Sequence, residues 1–339
     1  MMTGLQSVVL WSCLLVGAAA AQPTKEWRGS SQVERQMDAA AFKGMDQTIA
    51  DLADVQSAVV VLRGRVVYEF YRDGSPATLR SVQSVAKSAL SPLVGIALGQ
   101  GRIAGLDLPV VALIPQWTSL NRDPRALSIT IRHLLTMTAG FEVNDATGTA
   151  PPARPRDAWA RPLRGEPGQA FAYDNSLVPL LSAVIERATG MPLSDYARQE
   201  IVGPLAFEEP SYLGGEMRMR TVDMAKLGQL FLQKGVWNGK QIVPDFYAMD
   251  ATQPQSGGGP PVSMPYGYMW WVVPSDAPRP TFMASGFGGQ FIWVHPPLDL
   301  VIATTSTVSV ESNRRGQALQ LIRGELFDTA RKRAASPTR

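Results

Sequence analysis

Cysteine and histidine are almost missing from this 339-residue chain, which holds one cysteine, Cys13, and two histidines, His133 and His295. Cys13 falls inside an apolar leader, so the remainder has no thiol for a disulfide or a thiolate-held metal. His133 sits in a helical run and His295 directly precedes Pro296-Pro297. Neither has the setting of a triad base or a paired metal ligand, and both read as structural. A Ser-His-Asp hydrolase or a zinc enzyme is therefore disfavoured, and a reactive serine has lysine as its available activator. Basic clusters are scarce too: the net charge of +3 comes from scattered Arg and Lys, with one short run, Arg331-Lys332-Arg333. That argues against a nucleic-acid partner. The first 21 residues carry no charge at all, contain the apolar run 8–20, and end in Ala18-Ala19-Ala20-Ala21. They read as a signal peptide, lacking the usual n-region base, with an apolar run too short to span a bilayer comfortably. The expectation is a periplasmic or secreted protein with no stable membrane span after signal removal. A lipoprotein signal at Leu10-Trp11-Ser12-Cys13 fits less well, because the apolar run continues past Cys13.

The chain is long enough to bury a full core as one large domain or two lobes. Helical spacing of apolar residues over 32–52 is followed by two β-rich runs, 57–62 and 65–71, whose Arg63-Gly64 link predicts a tight hairpin. An apolar run, 84–98, predicts a helix kinked at Pro92 and broken by Gly99 to Gly105. From 106 to about 213 the pattern is helical and loop-rich, with helices expected over 129–137, 177–189 and 194–201 and a Pro/Arg-rich loop over 151–168. An amphipathic helix is expected over 221–234. Past the glycine- and proline-rich loop 256–261 come four β-rich runs, 266–273, 281–285, 290–294 and 300–305, then a closing amphipathic helix, 314–332. Strands at both ends of the chain bracket a helical middle. The economical architecture is α+β: one antiparallel sheet from both ends, flanked by N- and C-terminal helices, with a mostly helical inserted lobe. After the leader 1–21 this places one domain over 22–335, its sheet lobe over 32–100 and 215–335 and its helical lobe over 101–214.

Three stretches carry chemistry. In Ser84-Val85-Ala86-Lys87 the hydroxyl and the amine are three apart and meet on one helix face, and Lys87 is the only charge of the run. An ammonium among apolar groups gives up its proton more readily than one in water, which makes Lys87 a candidate base for Ser84. Tyr173-Asp174-Asn175 follows the turn Glu166-Pro167-Gly168 and precedes a helix, at a junction where side chains can face a cleft. There Tyr173 is a candidate base or shuttle and Asn175 a candidate holder of an acyl-group amide; a core tyrosine and a helix cap are the plainer alternative. Ala284-Ser285-Gly286-Phe287-Gly288-Gly289-Gln290 joins two strands. Its glycines permit close backbone approach to a substrate, with the Phe287 and Ser84 N–H groups as an oxyanion pair, unless they mark only a bulge.

Taken together, these stretches resemble the serine β-lactamase and DD-peptidase superfamily, on the side of the class C β-lactamases, related esterases and 6-aminohexanoate-dimer (nylon-oligomer) hydrolases. Ser84-Val85-Ala86-Lys87 matches its Ser-x-x-Lys and Tyr173-Asp174-Asn175 its Tyr-x-Asn. The segment Tyr266-Gly267-Tyr268-Met269-Trp270-Trp271 looks most like the nylon-oligomer hydrolase branch. The resemblance implies a β-lactamase-like fold and an acyl-enzyme on Ser84. It implies that Lys87 and Tyr173 share the proton transfers, that Asn175, Ser285, Gly286 and Phe287 contact the substrate or the oxyanion, and that no metal or organic cofactor takes part. The expected partner is a small-molecule amide or ester. One departure stands out: Ala284-Ser285-Gly286 aligns with the class C Lys-Thr-Gly, so the cationic member is missing. Arg154, Arg156 and Arg161 of the 151–168 loop are the candidates to replace it. A β-lactamase, a D-amino-acid peptidase and a penicillin-binding-like sensor that acylates and stalls are the rival readings.

Overall fold

The computed structural model describes residue 27 and residues 29–143, 154–208, 217–308 and 316–336. The expected leader, with Cys13, lies outside the described residues. The hairpin forms as its sequence dictates: β1 (Val55–Leu62) and β2 (Arg65–Tyr71) are joined by Arg63 and Gly64, at φ 53° and 70°. Two left-handed residues make the turn whose twist matches that of paired strands. The later strands are β3 (Ser256–Gly259), β4 (Met264–Tyr266), β5 (Trp271–Val272), β6 (Phe282–Gly286), β7 (Gln290–His295) and β8 (Leu300–Ser306). They complete one eight-stranded antiparallel sheet in the order β2-β1-β8-β7-β6-β5-β4-β3. The two ends of the chain meet at β1 and β8, where Val59 pairs with Ala303.

Side-chain alternation tells which helices cover which face. Helix Thr221–Leu232 lies on the face of Ile292 and Val294, since a Cβ added at Gly228 would meet both side chains within 3.2 Å. The neighbouring residue His295 points the other way and packs its ring on Phe327 of the C-terminal helix Phe327–Ala335, 5.0 Å between centroids. The N-terminal helix α1 (Gln32–Ala41) joins that second layer. Buried Asp38 of α1 accepts from Arg333 at 2.7 Å and from Arg65 of β2 at 3.0 Å, stitching both chain termini to the sheet. The sheet is therefore covered by the two terminal helices, as expected, on one face only. The other face is closed by the 221–232 helix and by α3 (Val85–Gly99).

Several local expectations change in the folded chain. The 32–52 helix is two, α1 and α2 (Met45–Ala50), parted at Gly44 with φ 84°. Helix α3, with Pro92 inside it, ends at Gly99, where the glycines from 99 to 105 were expected to break it. The 221–232 helix is not amphipathic but buried on almost every side. Its charged residues neutralise one another: Asp223 binds Lys226 at 3.1 Å and Arg220 at 2.7 Å, and Lys226 also donates to the Leu205 and Ala206 carbonyls. The 256–261 loop contributes β3, an edge strand, where glycine and proline are tolerated because one side of the ladder is unpaired. The 266–273 run splits into β4 and β5 because the Tyr268 and Met269 N–H groups donate to Ala251 and Leu135 instead of a strand. In the helical region, Leu177–Thr189 forms as expected, the helix expected over 194–201 forms as Leu193–Ala197 continued by a π-helical turn, Arg198–Val202, Ile131–Leu135 is shorter, and the 151–168 loop contains a short helix, Pro155–Trp159.

Candidate active site

Ser84 stands at the N-terminal boundary of α3 and Lys87 one turn inside it, with Lys87 only 6% exposed. Lys87 Nζ donates to Ser84 Oγ at 2.9 Å and to Asn175 Oδ1 at 2.7 Å. Two of the three stretches are thus joined through one amine nitrogen across 88 residues of sequence. The third member of that group is Tyr173, whose ring centroid lies 4.9 Å from Lys87 Nζ. Trp271 of β5 stacks on the Tyr173 ring at 5.9 Å and 17°, and Tyr266 packs edge-on against Trp271 at 4.6 Å. Burial raises the Tyr266 hydroxyl well above the usual phenol range, so it stays neutral beside Tyr173. Aromatic packing leaves the Tyr173 ring little freedom beside the ammonium.

The approach to Ser84 is strained. Gln83, immediately before it, has φ 49°, a left-handed conformation that a non-glycine residue adopts only when its surroundings impose it. The constraint comes from both sides. Val82 N–H donates to the Met217 carbonyl at 3.0 Å, and the end of β6 presses on the same segment. A Cβ placed on Gly286 would lie 2.5 Å from Val82 O and 3.1 Å from Gln83 Cβ. Glycine is required at that point of contact, and the contact carries Ser285, Gly286 and Phe287 to the residues that precede Ser84.

Ser285 near the end of β6 is half-buried, Ala284 fully buried, and Phe287 just past the strand exposed. The turn from Phe287 to Gly289 is held by residues the sequence pattern did not single out for this purpose. Buried Gln290 donates to Phe287 O at 3.4 Å and exchanges hydrogen bonds with the Ser306 backbone at 2.8 and 3.0 Å. Ser306 Oγ donates to Gly289 O at 3.2 Å. Gln290 had a sequence signal, the sole long polar residue opening an apolar strand, but its partner lies 16 residues away.

The histidines have structural places, as their sequence settings suggested. His133 Nδ1 accepts from Thr130 N–H at 3.2 Å in a helix-capping exchange, and His295 Nδ1 pairs with Thr281 Oγ1 at 2.7 Å. Burial lowers the pKa of both rings. Among the described residues no three His, Cys, Asp or Glu side chains cluster as a metal-binding set, and no helix is long and apolar enough to cross a membrane. Of the arginines proposed to replace the missing cation, Arg161 is engaged elsewhere. It bonds Asp174 at 2.6 Å and the carbonyls of Ala158 and Glu142.

The chain is similar in sequence and in shape to several known proteins. Esterase EstB of Burkholderia gladioli is 27% identical over 227 residues, covering 59% of this chain and 56% of that protein. The chain therefore spans little more than half the length of that relative. A structure described as a candidate 6-aminohexanoate-dimer hydrolase of Bacillus anthracis superposes with a TM-score of 0.70 at 22% identity, covering 86% of this chain and 83% of the other. EstCE1, described as a hydrolase with promiscuous acyltransferase activity, superposes with a TM-score of 0.67 at 18% identity, over 88% of this chain and 99% of its own. These structural likenesses show the α+β fold. The beta-lactamase family model matches residues 45–216, about half of the chain and the part that carries Ser84, Lys87, Tyr173 and Asn175, and the chain belongs to that family.

Proposed function

We propose that this protein is a serine hydrolase of small esters or amides, closer in habit to the esterases and 6-aminohexanoate-dimer hydrolases than to the β-lactamases. The observation that carries the reading is the Ser84, Lys87 and Asn175 hydrogen-bonded group with the Tyr173 ring against it. Ser84 Oγ attacks the substrate carbonyl carbon, and its proton passes to the Lys87/Tyr173 pair. The carbonyl oxygen takes up negative charge in the field of the Ser84 and Phe287 N–H groups. Collapse of the tetrahedral adduct expels the alcohol or amine, which takes the proton held by the pair, and leaves Ser84 acylated. Water then gives a proton to the same pair, attacks the acyl carbon, and releases the acid as Ser84 is reprotonated. Asn175 Oδ1 orients the Lys87 amino group, and Asn175 offers its own N–H to an acyl substituent.

The preference for neutral substrates follows from Ala284-Ser285-Gly286. A fully buried alanine stands where a class C β-lactamase has lysine, leaving Ser285 as a neutral donor for whatever lies next to the scissile bond. Turnover of a p-nitrophenyl acyl ester, with fluorophosphonate labelling mapped by mass spectrometry, tests the reading. Labelling is expected on Ser84, and Ser84→Ala should abolish both label and turnover. An adduct on another serine would refute it.

A further inference from the structure

We propose that Asp174 and Arg161 form a positioning pair that aims the Tyr173 to Asn175 turn at Lys87, an inference that rests on the Ser84 hydrolase reading. Asp174 is the middle residue of the turn and is 4% exposed. Its Oδ2 accepts from Arg161 Nη2 at 2.6 Å, and its Oδ1 accepts from Ser176 N–H at 2.9 Å and Ser176 Oγ at 2.5 Å. One carboxylate oxygen therefore fixes the start of the Leu177–Thr189 helix through Ser176 and the other ties it to Arg161, and Asn175 is the residue held between Asp174 and Ser176.

Arg161 is fixed in turn. Its Nε donates to Ala158 O at 3.0 Å, its Nη1 to Glu142 O at 3.2 Å, and its guanidinium lies 4.7 Å from the Phe141 ring centroid. One planar fork thus ties three separate segments, around Phe141, Ala158 and Asp174, into one wall of the site. A buried ion pair contributes little to stability over an apolar substitute, but it specifies direction, because a fork and a carboxylate accept few relative orientations. Here the direction matters at Asn175 Oδ1, which receives the Lys87 ammonium at 2.7 Å. The pair does not touch the reacting atoms. It acts through the turn on the two side chains that hold and move the proton.

The test uses Asp174→Asn, Arg161→Met, their combination and Arg161→Lys in the full chain, assayed on p-nitrophenyl butyrate with circular dichroism to confirm folding. Each of the first two changes should lower kcat about 10- to 100-fold while KM stays within about threefold, since a misdirected catalytic group costs rate rather than affinity. The double variant should lose no more than the worse single one, because both residues act through one turn. Arg161→Lys keeps the charge on Asp174 but not the fork, folds where Asp174→Asn fails to, and should show a smaller loss in kcat. A folded Asp174→Asn or Arg161→Met variant with kcat within about twofold of wild type, a rise in KM at unchanged kcat, or additive losses would overturn the proposal. Wild-type protein that turns over the ester but is labelled on a serine other than Ser84 would overturn the hydrolase reading instead.

Discussion

Gly286→Ala changes one hydrogen for a methyl group and tests whether the contact between β6 and the segment before Ser84 sets catalytic geometry. The added carbon would sit 2.5 Å from Val82 O, 2.9 Å from Gln290 Cβ and 3.1 Å from Gln83 Cβ. None of these is the free end of a flexible side chain. Val82 O is backbone already engaged with Val85 N–H at 3.1 Å, and Gln290 is held by both of its amide bonds to Ser306. Relief to 3.0 Å, the shortest separation real Cβ atoms show, requires the strand end and the Ser84 approach to part by about half an ångström. Overpacking of this kind costs about 1–3 kcal/mol of stability, which for a chain of this size lowers Tm by a few degrees. The effect on rate should be larger than the effect on stability. Displacement of a reacting group by about 1 Å costs about a hundredfold, so half that distance predicts a loss in kcat of about tenfold. Gly288→Ala is the control, since its φ of 83° strains an alanine but its nearest contact, Thr307 O, is more distant, at 3.1 Å. Ester kinetics and thermal melts of both variants decide the matter. Wild-type kcat in a folded Gly286→Ala protein would refute the reasoning, because the contact would then be packing without a catalytic consequence.

Lys87→Ala combined with Tyr173→Phe should cost little more than the worse single change, measured as kcat/KM on the same ester, because the proposed mechanism makes the two groups one proton-transfer unit; clearly additive losses would separate them. A chromogenic cephalosporin should be hydrolysed about 10- to 100-fold less efficiently than a short neutral ester, the loss expected from forgoing a charge-assisted hydrogen bond of about 1.5–3 kcal/mol to its carboxylate. Equal kcat/KM values would defeat the argument from Ala284. Acidification should destabilise the protein through its histidines, whose folded-state pKa values lie below the ordinary 6.5 because of burial. As pH falls through 6.5 the unfolded chain binds protons that half-buried His133 and His295 do not, so stability falls with pH and Tm should drop below about pH 6.5. The drop should shrink in His133→Asn with His295→Gln, and an unchanged pH profile of Tm in that variant would assign the effect to other groups.

Much of this protein is written in short-range pattern. The β-branched and aromatic content of 57–62 and 65–71, with Arg63-Gly64 between, suffices for the β1/β2 hairpin, because strand and turn chemistry are local. The three-residue spacing of Ser84 and Lys87 on an apolar helix suffices for their 2.9 Å contact for the same reason. Other features were decided only when distant segments met. The 221–234 stretch was expected to form an amphipathic helix, whereas burial of its Asp223 and Lys226 was made possible by partners at Arg220 and at the carbonyls of Leu205 and Ala206. Whether a charge on a helix faces water depends on what the fold brings against it, which periodicity does not encode. The strained Gln83, the need for glycine at 286, the Lys87 to Asn175 bond and the Arg161 to Asp174 fork are likewise contacts between segments far apart in the chain. Residue type and spacing thus determined which groups the site contains. Only tertiary structure decided the directions in which they point, because hydrogen bonds and close packing depend on position in space and not on distance along the chain.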